Sequence, residues 1–465
     1  MAPDLLSVFF FLMFIITLAA ILHRLIQRKQ PAPIKADHTG DAERLHKLRA
    51  LSRHHEVASV LSTLVREDGA GTWPPRANHD SWPHALRPYK NIYLELISLL
   101  PTARPSLDDD INNERRNKYR SIMRKLLSER VNIFEVEILL ASVEAGSWDL
   151  CPRDVYNGFH CCVAVCRHAY RWATIPVVRV AQLETDIDFP PELDIPWPFF
   201  QRHFGVSAES GNNTSNVLLN FDERGERVYK INVGLSNTIQ SSEEAFFRMF
   251  YHLEILAFPV YCNIVHAIIS FEENNKASCL NYLENVVSGV RDLLLIFYQN
   301  LTESRISRSV WLSYVQGFQG WGIGKLVNGE FVKYDGVSGN HILFFQALDA
   351  FLGMNRYLTD ENMDRYIPIN QRKFCLALKK HSFRAKLDKE GGGDSNQRLK
   401  DEFKKILNHL KLFRTAHRTR VVPYLKEEAP ERLIMTAGKS LLEGSLEDAL
   451  KFLDDMMVRR LTETI

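Results

Sequence analysis

Apolar residues return every three or four positions through most of the second half of the chain, the spacing that lays one apolar stripe along an α-helix. This period predicts helices over 242–270, 277–301, 305–318, 340–356, 362–381, 395–422 and 445–462. The first half is looser. Helical spacing covers 41–66, 88–100, 112–143 and 154–172, a Gly/Pro-rich break falls at 69–83, and a turn-rich region runs from 184 to 225. Only ERVYKINVGL, 226–235, reads as an extended piece. Neither strand–helix alternation nor a fixed-period repeat is present, so the expected class is all-α. The expected division is an anchor at 1–29, a small N-terminal domain at 30–235 and a large helical domain at 236–465.

The anchor rests on LLSVFFFLMFIITLAAIL, residues 5–22, which carries no charge. At about 1.5 Å per residue it spans roughly 27 Å, close to the thickness of a bilayer's hydrocarbon core. Arg24, Arg28, Lys29 and Lys35 follow it. Positive charge on that side predicts a single-pass membrane protein with a cytosolic body. Asn212, Asn213 and Asn300 stand in glycosylation patterns that would matter only in the reverse orientation.

Composition narrows the field. The 465 residues are 45% hydrophobic and 25% charged, with a net charge of +2. That is globular composition without the cationic excess of a nucleic-acid binder. The basic run ERRNKYRSIMRKLLSER (114–130) reads as a solvated helix face. Seven cysteines, an odd number in a long chain, do not suggest a disulfide framework, and a reducing compartment is expected.

Three motifs fail on spacing. In GFHCCVAVCRH (158–168) only Cys162 and Cys166 share a helix face, and no second Cys/His pair completes a zinc site, so core cysteines are expected. TAGKS (436–440) lacks the first glycine of a phosphate loop. The glycines at 391–393 read as a connection before a helix N-cap at Asp394 or Ser395.

His417 is different. Phe403, Ile406, Leu410, Phe413, His417 and Val421 recur at steps of three or four, which puts His417 on the apolar stripe of a helix that Pro423 should end or kink. Spacing alone favours a core histidine. A buried neutral imidazole on a rigid helix can also ligate haem iron, with cations and backbone N–H groups nearby for the two propionates. YDGVSGN (334–340), leading into an apolar helix, offers such N–H groups and the Ser338 hydroxyl. Its plain reading is an ordinary capped helix.

Several blocks over roughly 240–460 resemble, in order, the indoleamine 2,3-dioxygenase family. MDRYIPINQRKF (363–374) is similar to its Met-Arg-x-Tyr-Met-Pro-x-x-His-Arg-x-Phe block, and GVSGNHILFFQALDAFLGM (336–354) to its Gly-Gly-Ser-Ala-Gly-Gln segment. LFRTAHRTRVV (412–422) resembles the helix of the proximal haem histidine, which falls on His417, with the family's paired aspartate and arginine on Asp349 and Arg414. EEAFFRMFYHLEI (243–255) resembles the distal helix, with Phe246 and Phe247 at its paired phenylalanines and Phe250 in place of its serine. The resemblance implies a nearly all-α, monomeric body with haem b between a small and a large domain. It also implies an oxidoreductase that inserts dioxygen into the pyrrole double bond of tryptophan or a related indole, giving N-formylkynurenine. Cofactor binding then falls to His417, Arg414, Ser338 and Asp349, and the substrate pocket to Phe246, Phe247, Phe250 and Leu312.

Departures gather on the substrate side. The family's carboxylate-holding arginine falls on Leu312 or Val315 according to register, and Arg308 stands one turn earlier. An aliphatic side chain cannot replace a bidentate clamp on a carboxylate. Val337 replaces a glycine of the propionate segment, LLEGS (441–445) stands where the family has Gly-Thr-Gly-Gly, and NVLLNF (216–221) matches only loosely. Two alternatives follow: a haem-binding relative with altered or lost dioxygenase activity, sensing haem or gas or taking another indole, or a membrane-tethered helical scaffold without cofactor.

Overall fold

Capping residues decide where the helical runs are cut. A computed structural model describes residues 40–100, 106–173, 179–389, 393–425, 435–436, 439–440, 451, 455 and 458–463. The expected anchor at 5–22, the linker up to 39, Gly391, Gly392 and LLEGS lie outside them. The run at 41–66 is two helices, α1 (Asp41–Leu51) and α2 (Glu56–Glu67). His55 separates them, its backbone extended and its Nδ1 accepting from the Val57 N–H. α3 spans Arg87–Leu96. The run at 112–143 divides into α4 (Asp109–Arg130) and α5 (Ile133–Glu144) at Asn132, whose side chain accepts from the Glu135 N–H.

Residues Arg44–Ile465 form one compact unit. Its N-terminal half centres on α6 (Arg153–Trp172), buried at every position from Val155 to Trp172. Its C-terminal half is built on α7 (Asn237–Glu272) and α8 (Lys276–Asn300), which pack along each other. α7 is long and apolar enough to cross a membrane, but 78% of its most apolar window is buried, as in the core helix of a globular body. α9 (Leu343–Phe351) lies on α10 (Ile369–His381), α10 on α2, and α11 (Asp394–Leu425) on α8.

Two expectations are corrected. Residues 226–235 form no strand and contribute only an isolated bridge between Phe221 and Arg227. A hairpin appears instead where helix-based reading saw nothing, β1 (Gly324–Val327) with β2 (Glu330–Lys333). Asn328 and Gly329 turn it at φ of 52° and 87°, the left-handed pair that a two-residue hairpin needs. Pro423 lies inside α11, two residues before its last at Leu425, where a proline disturbs only the last turn.

Candidate functional site

One turn of α7 places Phe246, Met249 and Phe250 on the same face, and that face looks into a cavity with about 1110 Å³ of space free of protein atoms, solvent included. Phe297 and Leu301 at the end of α8, Trp311 and Gln316 from the following turns, and Ser338, Gly339 and Asn340 complete that side. Phe345 and Asp349 of α9, Tyr357, Phe413, Arg414, His417 and Val421 of α11, and Arg460 form the other. Every lining residue stands at or after Phe246, so among the described residues none comes from 30–235.

His417 is held by rings. Phe413, one turn earlier, stacks on it at 5.6 Å between centroids, and Phe297 meets it edge-on at 5.1 Å. Phe345 stacks in turn on Phe413 at 5.0 Å. Burial among these rings pushes the imidazole pKa down to about 4, so the ring is neutral at physiological pH. Its Nδ1 is buried without a hydrogen-bond partner. An unpaired polar nitrogen beside a cavity is costly in a folded chain unless a ligand or water uses the ring.

Beside it, Asp349 bridges two arginines. Arg414 Nη2 donates to Oδ1 at 2.8 Å, and Arg460 Nη2 donates to Oδ2. Burial drives the Asp349 pKa up, and the two guanidiniums pull it back. Arg414 also donates to the Arg460 carbonyl at 3.1 Å, and Arg460 to the Asn355 carbonyl at 2.8 Å. The last turn described in the chain is thereby fastened to the cavity wall.

The Ser338 loop is fixed from two sides. Ser338 caps the short turn Gly339–His341, its hydroxyl accepting from the Asn340 N–H at 3.2 Å. The loop crosses the 317–320 segment so closely that a Cβ on Gly336 would lie 2.1 Å from the Gln319 carbonyl oxygen. From α7, buried Glu254 accepts from the Phe344 N–H at 3.0 Å, a carboxylate at the N-terminus of α9. Trp73 and Tyr261 donate to the same carboxylate, at 2.7 and 2.9 Å. His341 stacks on Tyr366 at 4.6 Å, and the Asp335 N–H donates to the Tyr366 hydroxyl at 2.7 Å. The 334–341 and 363–374 blocks are thus one structural unit.

A profile of the indoleamine 2,3-dioxygenase family matches residues 156–441, more than half of the chain. The chain belongs to the indoleamine 2,3-dioxygenase family. No individually curated protein matches it. The match begins near the start of α6, well before the blocks quoted above, so the central helix of the N-terminal half belongs to the family architecture as well.

Members of this family bind haem, and the cavity suits such a group. It has an aromatic interior, a neutral imidazole with an unpaired nitrogen, and an edge carrying Ser338, Asn340, Arg414 and Arg460 for anionic substituents.

The family positions do not all converge. His417, Arg414, Ser338, Asp349, Phe246 and Phe250 line the cavity. Phe247, one residue round the helix, lies under the Arg227 guanidinium at 4.7 Å and does not. Leu312 falls in the Trp311–Gln316 turn, and its side chain lies outside the described residues. Val315 is fully buried away from the cavity, and Arg308 pairs with Glu303 on the surface. Gln371, at the place of the family block's histidine, donates to Thr214 Oγ1 at 2.8 Å. Arg420, without a role in the sequence, donates to the Tyr298 carbonyl and ties α11 to α8. Arg460 and Trp311 were not foreseen. No local period marks Arg460, whose partners lie 111 and 46 residues away.

Away from the cavity, all seven cysteines are buried and reduced. His160 is sandwiched between Phe200 and Phe204, at 4.5 and 4.8 Å, as a core residue. Asn212 and Asn213 are 3% and 2% exposed, which closes both to glycosylation in the folded chain.

Proposed function

We propose that the chain binds haem b through His417 and catalyses dioxygen insertion into the ring of an indole that need not carry a carboxylate. The observation that supports the haem assignment is the neutral imidazole of His417, ring-stacked, beside the cavity, its Nδ1 without a hydrogen-bond partner. Bound there, haem would supply ferrous iron for the activation of dioxygen. Ser338, Asn340, Arg414 and Arg460 would hold its anionic edge.

The chain's own contribution is positioning and exclusion of water. Phe246, Phe250 and Trp311 give flat apolar surfaces for an indole, with Phe246 edge-on to both Phe250 and Trp311 at 5.1 and 6.1 Å. Trp311 Nε1 is buried without a partner, an N–H available to a polar substituent. Among the described lining residues the cations are Arg414 and Arg460, and in this reading both are committed to Asp349 and the haem edge, which leaves none for a substrate carboxylate. This favours an uncharged or amine-bearing indole over tryptophan. Membrane tethering through residues 5–22 with a cytosolic body belongs to the same proposal.

Titration with hemin tests it. The expected result is a Soret band at one haem per chain, lost in His417→Ala, and ferrous turnover of indoles lacking a carboxylate at least tenfold faster than tryptophan. Absence of a Soret band would overturn the haem assignment and leave the scaffold reading. Faster turnover of tryptophan would overturn the substrate assignment.

A further inference from the structure

At the far end of α7 from Phe250, 22 residues and about 33 Å along the helix, two imidazoles converge on one carboxylate. Glu272 is the last residue of α7, His381 the last of α10, and His55 the N-cap of α2. His55 Nε2 lies 2.9 Å from Glu272 Oε2, and His381 Nδ1 lies 2.8 Å from Oε1. The ligating atoms of the three residues all lie within 4.8 Å of one another. The side chains of His55, His381 and Glu272 are 14%, 18% and 34% exposed, sheltered yet open to an ion from solvent. On its other side His381 Nε2 lies 2.9 Å from Glu56 Oε2, a carboxylate that Lys380 Nζ also contacts at 2.5 Å.

We propose that His55, Glu272 and His381 form a binding site for a divalent cation of the zinc class, separate from the haem cavity and independent of the haem reading. Imidazole nitrogen and carboxylate oxygen are donors that zinc takes in a tetrahedral shell. Bonds of about 2.0–2.2 Å put tetrahedral donors about 3.4 Å apart. The two histidine–Glu272 contacts would open by about half an ångström, while the ligating atoms now up to 4.8 Å apart would draw together.

The surroundings supply what a ligating histidine needs. Glu56 accepts from His381 Nε2–H, which leaves the Nδ1 lone pair for the metal, the carboxylate–imidazole arrangement usual behind zinc ligands. Coordination through His55 Nε2 moves that ring's proton to Nδ1 and gives up the Val57 N–H bond, a long one at 3.2 Å. Three protein ligands leave a fourth position for water.

The charged groups of the cluster are Glu56 from α2, Glu272 from α7 and Lys380 from α10. Metal competes with protons for imidazole nitrogen, so binding strengthens as pH rises. The bound ion would staple the ends of three helices.

Tag-free full-length protein titrated calorimetrically with Zn²⁺ at pH 6.5 and 7.5, then desalted for elemental analysis, tests this directly. The expected result is one zinc per chain, several-fold tighter binding at the higher pH, and a raised melting temperature. His55→Gln with His381→Gln should weaken binding at least a hundredfold, and so should the isosteric Glu272→Gln, which retains the helix end if the double variant folds poorly. Glu56→Gln should keep the stoichiometry and weaken binding about tenfold, as loss of an outer carboxylate does. No stoichiometric zinc, or binding unchanged in Glu272→Gln, would overturn the site. Neither outcome touches the Soret assay, so the two assignments fail separately.

Discussion

Replacing Asp349 by asparagine removes a charge and almost no volume at the point where two guanidiniums meet. The Asp349 side chain is 6% exposed and those of Arg414 and Arg460 are 7% exposed, so neither cation reaches water without opening the cavity wall. Removing one partner of a buried ion pair costs about 3–5 kcal/mol, most of it the burden of the charge left behind. Here two cations are left close together, Arg460 still paired with Glu463, while the asparagine carbonyl still accepts one bond worth about 1 kcal/mol. The expected loss is therefore about 3–5 kcal/mol, read as a lowered urea midpoint with unchanged slope by far-UV circular dichroism. Adding Arg460→Met to that variant should recover at least about 1 kcal/mol, because it removes the repulsion between the two guanidiniums. A midpoint for Asp349→Asn equivalent to less than about 1 kcal/mol, or no recovery in the double variant, would refute the reading of this cluster as a buried, mutually dependent triad.

Other sites give sharper or simpler outcomes. Asp68 is buried, accepts from Asn370 Nδ2 at 2.6 Å through one oxygen and has no partner at the other, and burial pushes its pKa from 3.8 up to about 7. The folded chain then binds a proton that the unfolded chain does not hold between about pH 4 and 7, so this contribution is complete below about 4 and is lost as pH rises through 7. Asp68→Asn should remove the slope and stabilise the protein above pH 7 by up to about 4 kcal/mol, measured by urea unfolding at pH 5 and 7.5. Gly336→Ala drives a Cβ onto a backbone carbonyl and should cost more than about 2 kcal/mol in the same assay. Trp311→Phe keeps the aromatic wall but removes the unpaired N–H; a several-fold rise in KM for polar indoles, with stability within about 0.5 kcal/mol, is expected.

What was legible depended on distance along the chain. His417 stood out by its period and Ser338 by its turn, whereas Arg414 and Asp349 came from the family resemblance; the structure gathers all four around one cavity. Phe246 and Phe250, four apart, share a helix face, whereas Phe247 lies about 100° round and meets Arg227, a contact across 20 residues that no local pattern encodes. Arg460 was invisible for the same reason, its carboxylate lying 111 residues earlier. The β1–β2 hairpin was a different kind of omission. LVNGEFV carries an Asn-Gly turn between alternating residues, a signal that was present and passed over amid helical periodicity.

The lateness of Arg460 also sets a timetable. At roughly 5–20 residues per second, the ribosome needs about 6 to 22 seconds between Asp349 and Arg460, which stand 111 positions apart. Arg414 follows Asp349 by 65 positions, so only over the remaining 46 can it meet the carboxylate without Arg460. The wall beside His417 therefore closes last, after the helices that bear Phe246, Phe297 and His417 have emerged, and until then the cavity keeps an open flank.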